Sequence, residues 1–344
     1  MGKLTRVGDL EIGMVLDKDI IDTKTGAVLI PKDIAVTKAF IEKLKIHRIH
    51  FAFVKDEEIS EGIRNNQLVN EYVKVEKKLD ILFDEIKEGK DFETDNIISE
   101  MDTFVNQIAL ERDILTQLRL LKKKDDYTFN HSLGVSILAI SLGKWLNYSQ
   151  DKIIDLSIAG LFHDIGKLKV PDNIVKKPGK LTTEEYKEMK RHSVYSYEIL
   201  LKTNRFSEDI LLGILQHHEK INGTGYPYGI SGNRIHEYAK IIAICDIYHA
   251  LTSNRVYKDK DSPLSAADYL RHEGFDSLDP NITQIFLKNI SRFYVGNKVL
   301  LSDGSVGIII YIHPQNETKP IVKVNNRYID FLQPQEVEIL DIII

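Results

Sequence analysis

Seven side chains between residues 131 and 246 have the types and spacing that divalent metal ions take. They are His131 in YTFNHS, the adjacent pair His163 and Asp164 in LFHDIGK, His192 in MKRHS, the pair His217 and His218 in QHHE, and Asp246 in AICDIY. Neutral imidazole and carboxylate are donors that borderline and harder transition metals accept, and a carboxylate such as Asp164 can bridge two ions. Five histidines and two aspartates suit two adjacent divalent ions. Any one of these histidines alone would read as a hydrogen-bonded core or surface residue, and a single His-Asp dipeptide says little. The ordered set is what points to a metal centre. Two ions about 3.5–4 Å apart can bring a water close to neutral pKa and brace both the attacking and the leaving oxygen of a phosphodiester, so no serine or cysteine nucleophile is required.

Donors this far apart in sequence must come from separate helices, which places the site in the core of a helical bundle. The spacing of apolar residues agrees: residues 123–290 are mostly helical by period and carry nearly all the unusual chemistry. Residues 1–55 read as a small α+β unit, with strand-like runs around Met14 to Leu16, Ala27 to Ile30 and Phe51 to Val54 and helical spacing at Val36, Phe40, Ile41 and Leu44. Its histidines, His47 and His50, have no acidic or cysteine companions and read as structural or surface residues. Residues 56–122 form a charge-rich helical connection, with stripes at Val75, Leu79, Leu82, Phe83 and Ile86 and at Ile98, Met101, Phe104, Val105 and Ile108. These helices pack on the next domain or pair two chains into a homodimer. From 291 to 344 the pattern switches to alternation around an Asp303-Gly304 turn, as in a small β-barrel-like unit.

Composition narrows the function classes. The chain has 344 residues, enough for two or three domains, and a formal charge of -5. That balance argues against a general nucleic-acid binder or a membrane-surface binder, both of which want a basic face. A phosphate ligand must then be held by local cations or by metals. The single cysteine, Cys245, excludes an internal disulfide framework and suits a reducing cytoplasm. No apolar run reaches the roughly 20 residues of a membrane helix, so a cytoplasmic protein is expected.

Taken in order, YTFNHS, LFHDIGKLKVPDNIVKKPGKLT, RHS, QHHEKINGTGYP and CDIYHALTSNRVYK resemble the HD-GYP family, a branch of the HD phosphohydrolases. The likeness runs through residues 123–260 and includes the tripeptide Gly225-Tyr226-Pro227. It implies a mainly α protein with an HD-type helical bundle as catalytic domain, flanked here by the small α+β and β units. It also implies hydrolysis of cyclic di-GMP to linear pGpG, to GMP or to both. Carried over position by position, one metal takes His131, His163, Asp164 and Asp246, and the second takes Asp164, His192, His217 and His218. Iron or manganese is expected ahead of zinc. Some relatives carry a glutamate four residues before the first histidine for a third metal; Tyr127 stands there, so a dinuclear centre is expected.

Beyond the metals, Lys167 follows Asp164 by one turn, where an ammonium neutralises a phosphoryl oxygen or assists the leaving oxygen. Catalysis is therefore assigned to Asp164 and Lys167. Substrate binding is assigned to Gly225 and Tyr226 of the loop, and to Arg255 and Lys258 of SNRVYK, which match phosphate-gripping positions of the family. Lys177 and Lys180 read as structural or rim residues. Three departures stand out: Asn222 and Asn254 where acids are commoner, and His249 in place of an aspartate three residues after Asp246. If that acid normally pairs with Lys167, His249 must supply a different partner, and the protonation scheme around Lys167 changes with it. Two further readings stay open. One is a phosphohydrolase acting on another nucleotide or a mixed cyclic dinucleotide; the other is a cyclic-dinucleotide sensor with little turnover.

Overall fold

A computed structural model describes residues 127–253, 262–272 and 274–343 without a break. Before them it describes 67–90, 92, 94–110 and Leu118, and within the first 54 residues 3–10, 14–21, 28–30, 32, 34, 36, 40–41, 44, 49 and 51–54. The chain divides into two compact units, Met1–Asn70 with Ile343–Ile344, and Glu71–Ile342.

The first unit carries β1 (Lys3–Arg6), β2 (Ile20–Ile21), β3 (Val28–Ile30) and β4 (Phe51–Val54). β1 pairs antiparallel with β4 and β2 with β3, around a core that includes Leu16, Ile30, Val36, Phe40, Leu44 and Val54. β3 and β4 lie where alternation placed them. The run at Met14 to Leu16 reduces to a bridge between Leu16 and Val54. β1 and β2 are not legible in the sequence, because four and two residues are too few to establish a period and pairing with a distant segment defines them. His47 and His50 lie outside the described residues.

α1 (Gln67–Lys87) runs across the boundary at Glu71, and α2 (Asp95–Leu110) follows it in the second unit. Both bury the stripes the spacing marked, among them Val75, Leu79 and Leu82 on α1 and Met101, Phe104, Val105 and Ile108 on α2. Next come α3 (Tyr127–Trp145), α4 (Gln150–Phe162), α5 (Thr183–Lys190), α6 (His192–Leu201), α7 (Glu208–Leu215), α8 (Glu237–Thr252), α9 (Pro263–His272) and α10 (Pro280–Ile290). Helix starts follow local chemistry. Ser149 and Ser207 accept from backbone N–H groups at the starts of α4 and α7, and Thr182 and Glu185 form a reciprocal cap on α5. Asp279 caps α10, with Pro280 as its first residue.

α3 and α8 are buried on nearly every face, as the central helices of a bundle must be. α4 lies so close to α3 that a Cβ at Gly160 would meet the Ser136 Cα at 2.9 Å. This tight central packing leaves the polar donors of α3, α4 and α8 facing one another.

The unit ends in an antiparallel sheet of β5 (Lys298–Leu301), β6 (Val306–His313), β7 (Asn316–Val324), β8 (Arg327–Asp330) and β9 (Ile339–Ile343), in the order β8-β7-β6-β5-β9. Buried Glu317 on β7 accepts from Arg271 of α9 at 2.6 Å and Gln284 of α10 at 2.7 Å, tying sheet to bundle. The protein is therefore mainly α, a helical bundle with small β-containing ends. Among the described residues no helix is long and apolar enough to cross a membrane.

Candidate metal centre

His131 comes from α3, His163 caps the end of α4, and Asp164 follows it into a short 3-10 turn, Ile165–Lys169. His192 opens α6, His217 and His218 follow α7, and Asp246 lies on α8. Five elements thus deliver all seven donors to one place. Asp164, His192, His217 and His218 each offer an atom within 4.8 Å of the others; so do His131, His163 and Asp164, and so do His163, His217 and Asp246. Asp164 faces both sides: Oδ1 is 3.3 Å from His192 Nε2, and Oδ2 is 3.3 Å from His163 Nε2 and 3.7 Å from His131 Nε2. Asp246 Oδ1 lies 3.0 Å from His131 Nε2 and 3.9 Å from His163 Nε2.

The ring orientations have a local cause. Nδ1 of His163, His192 and His217 lies 2.8, 2.7 and 2.6 Å from the carbonyls of Gly160, Met189 and Ile214, each three residues earlier. A carbonyl can only accept, so each Nδ1 carries the hydrogen and each Nε2 keeps a free lone pair. Those Nε2 atoms converge, with His192 and His217 separated by 3.4 Å. His163 Nε2 and Asp164 Oδ1 are buried and receive no hydrogen bond among the described residues. A buried donor set with orphaned lone pairs is costly unless a cation completes it. These residues therefore fit a divalent metal.

Protonation reinforces this. Burial lowers the pKa of His131 and His192, holds that of His217 well below the ordinary value, and takes His218 down to about 3. For His217 the neighbouring His218 adds to the effect. Burial pushes the Asp164 carboxyl up, but Lys167 and His163 pull harder, and the net is well below the carboxylate range. Asp246 behaves alike: burial would raise it, but the imidazoles of His131, His163 and His218 together hold it well below the carboxylate range. Burial would lower His163, but the adjacent Asp164 carboxylate raises it overall. A cation taking Asp164 would compete for that stabilisation. Most of the set is thus held as neutral imidazole and ionised carboxylate, the forms that bind metal.

Lys167 Nζ lies 2.5 Å from Asp164 Oδ2, so the ammonium is paired with the central carboxylate. Tyr226 stacks on His218 with ring centroids 4.6 Å apart, and Lys190 Nζ lies 5.8 Å above the tyrosine ring. Gly225 has a spatial reason: an added Cβ would meet the Lys220 N at 2.4 Å and the His218 carbonyl at 2.5 Å, so only glycine lets the loop press on the histidine pair. Asn222 Oδ1 accepts from the Thr224 N–H at 3.1 Å and supports the turn, as an aspartate would. Lys177 pairs with Glu185 at 2.5 Å and Lys180 is exposed. Arg255, Lys258, Asn254 and the side chain of Tyr127 lie outside the described residues.

Sequence reasoning passed over Glu219. Its buried carboxylate accepts from the Tyr228 N–H at 2.7 Å, and Tyr226 N–H donates to the His218 carbonyl at 3.2 Å, so the backbone on both sides of Pro227 is clamped to the histidine pair. The only signal was a carboxylate directly after two histidines.

The HD domain family profile matches residues 110–282. Over 245 residues, 71% of this chain and 58% of the relative, the sequence is 34% identical to cyclic di-GMP phosphodiesterase PA4108 of Pseudomonas aeruginosa. It is 35% identical over 52% of the chain to the cyclic di-GMP phosphodiesterase response regulator RpfG of Xanthomonas campestris, covering 48% of that protein. It is 36% identical over 50% of the chain to the 3'3'-cGAMP-specific phosphodiesterase 1 of Vibrio cholerae, covering 40% of that protein. The chain thus spans between 40% and 58% of the length of these relatives. In fold it is similar to Bd1817, an HDG"Y"P protein of Bdellovibrio bacteriovorus. The TM-score is 0.52 and the identity 16%, covering 83% of this chain and 98% of that one.

Proposed function

Because this chain belongs to the HD domain family and carries the Gly225-Tyr226-Pro227 loop of its HD-GYP branch, we propose that it is a metal-dependent phosphodiesterase that hydrolyses cyclic di-GMP to linear pGpG, GMP or both. The observation that carries this reading is the convergence of the Nε2 atoms of His163, His192 and His217 on Asp164, beside an ammonium and an aromatic loop. Similarity to two cyclic di-GMP phosphodiesterases supports the substrate. Similarity to a 3'3'-cGAMP-specific enzyme favours a mixed cyclic dinucleotide as the second reading.

His131, His163, Asp164 and Asp246 would hold one ion and Asp164, His192, His217 and His218 the other, iron or manganese by the donor set. When bound, such ions supply Lewis-acid activation of water and neutralise charge at the phosphodiester. Asp164, with one oxygen toward each group, spaces the two sites. Lys167 orients Asp164 and offers its ammonium to a phosphoryl oxygen as negative charge develops. Tyr226, held on His218 by stacking, faces substrate at the mouth of the site, and Arg255 and Lys258, by their match to the family's phosphate-gripping positions, hold phosphate.

The deciding experiment supplies anaerobically prepared protein with iron or manganese and follows cyclic di-GMP and mixed cyclic dinucleotides to product. Hydrolysis of cyclic di-GMP is expected. Binding without turnover under either metal would leave a sensor and sink the enzyme reading. Arg255→Ala should lower kcat/KM roughly tenfold to a hundredfold through KM, the cost of one charge-assisted contact of about 1.5–3 kcal/mol. Its metal content should match wild type. A fall in kcat alone would place Arg255 in the chemistry instead.

A further inference from the structure

His249, which lies three residues after Asp246 on α8, is buried, and its Nδ1 stands 3.1 Å from Nδ1 of His131 across 118 residues of sequence. His131 turns its other nitrogen, Nε2, toward Asp246 and Asp164. Between two ring nitrogens at hydrogen-bond distance, one must donate and the other accept. If His131 Nδ1 accepted, its hydrogen would sit on Nε2, the atom that faces the carboxylates, and no lone pair would be left for a metal. From this geometry, and resting on the metal reading above, we infer that His249 is a positioning residue. It accepts from His131 Nδ1–H and so holds His131 in the tautomer that presents the Nε2 lone pair to the ion shared with His163, Asp164 and Asp246. His249 does for His131 what the carbonyls of Gly160, Met189 and Ile214 do for His163, His192 and His217.

Two further contacts fit the role. With its Nδ1 accepting, His249 carries its hydrogen on Nε2; Ser253 Oγ lies 3.3 Å from both Nδ1 and Nε2, within reach to receive it. The ring also lies against Gly134 of α3, one turn from His131; an ideal Cβ there would meet His249 Nε2 at 2.0 Å. The glycine clears the space through which α8 reaches the first histidine.

His249→Phe keeps the ring and removes the acceptor, whereas His249→Asn loses the ring but keeps an oxygen near the Nδ1 position. Manganese affinity of the full chain is measured by chelator competition, alongside the melting temperature of the metal-stripped protein as a folding control. The Phe variant should bind one of its two ions about 10–100-fold more weakly, the range for loss of a hydrogen-bond partner behind a metal-ligating histidine. The other ion should be unaffected, and the Asn variant should bind both as wild type does. Wild-type affinity in the Phe variant overturns the assignment, as does an Asn variant as weak as Phe, which would reduce His249 to packing. A wild-type chain that takes up no manganese would overturn the metal reading itself, an outcome distinct from the other two.

Discussion

Asp164→Ala is expected to reduce turnover of cyclic di-GMP by at least about a thousandfold, equivalent to about 4 kcal/mol of barrier. The reason is geometric. The carboxylate is the member common to both of its donor groups, with Oδ1 toward His192 and Oδ2 toward His163 and His131. On the dinuclear reading, its removal would take a donor oxygen from each ion and the negative charge that offsets them both. Elemental analysis of anaerobically purified protein gives the check: about two ions per wild-type chain, and a marked loss in the variant. Three ions in wild type, or two retained in Asp164→Ala with turnover intact, would end the dinuclear assignment. A single-group donor such as His192 or His218 should be less damaging, because the other group keeps its donors.

Lys167→Ala should lower kcat by roughly a hundredfold to a thousandfold, the scale for losing one preorganised charge at a developing oxyanion. KM should change little if the ammonium acts only as charge develops. The 2.5 Å contact between Lys167 Nζ and Asp164 Oδ2 adds a second consequence. The Lys167 ammonium is also the strongest attraction keeping the buried Asp164 ionised, so Lys167→Ala makes the carboxylate easier to protonate. The acid limb of the activity profile should then move to higher pH, because ionised Asp164, the metal-binding form, would be lost sooner as pH falls. A kcat unchanged across pH, with only KM raised, would assign Lys167 to substrate grip. Lys167 pairs with Asp164 while His249 lies against His131, so His249→Asp should leave activity within about tenfold, and a collapse would tie His249 to the lysine's role.

Residue type and order were legible without coordinates. The seven donors, the HDIGK lysine and the Gly225-Tyr226-Pro227 loop are short motifs whose chemistry is carried by the side chains themselves, and together they identify the HD-GYP branch. The helical bundle was legible too, since uninterrupted apolar spacing over a long stretch admits few other structures. Only the tertiary structure decided which atom of each donor faces the centre. That depends on ring rotation, fixed by carbonyls three residues away for His163, His192 and His217 and by an imidazole 118 residues away for His131. The steric need for Gly225 and Gly134 was equally hidden, because a missing Cβ leaves no trace in sequence until the backbone or ring that fills its place is known. Local sequence sets what a side chain can do; contacts between distant segments set which of its lone pairs is left to do it.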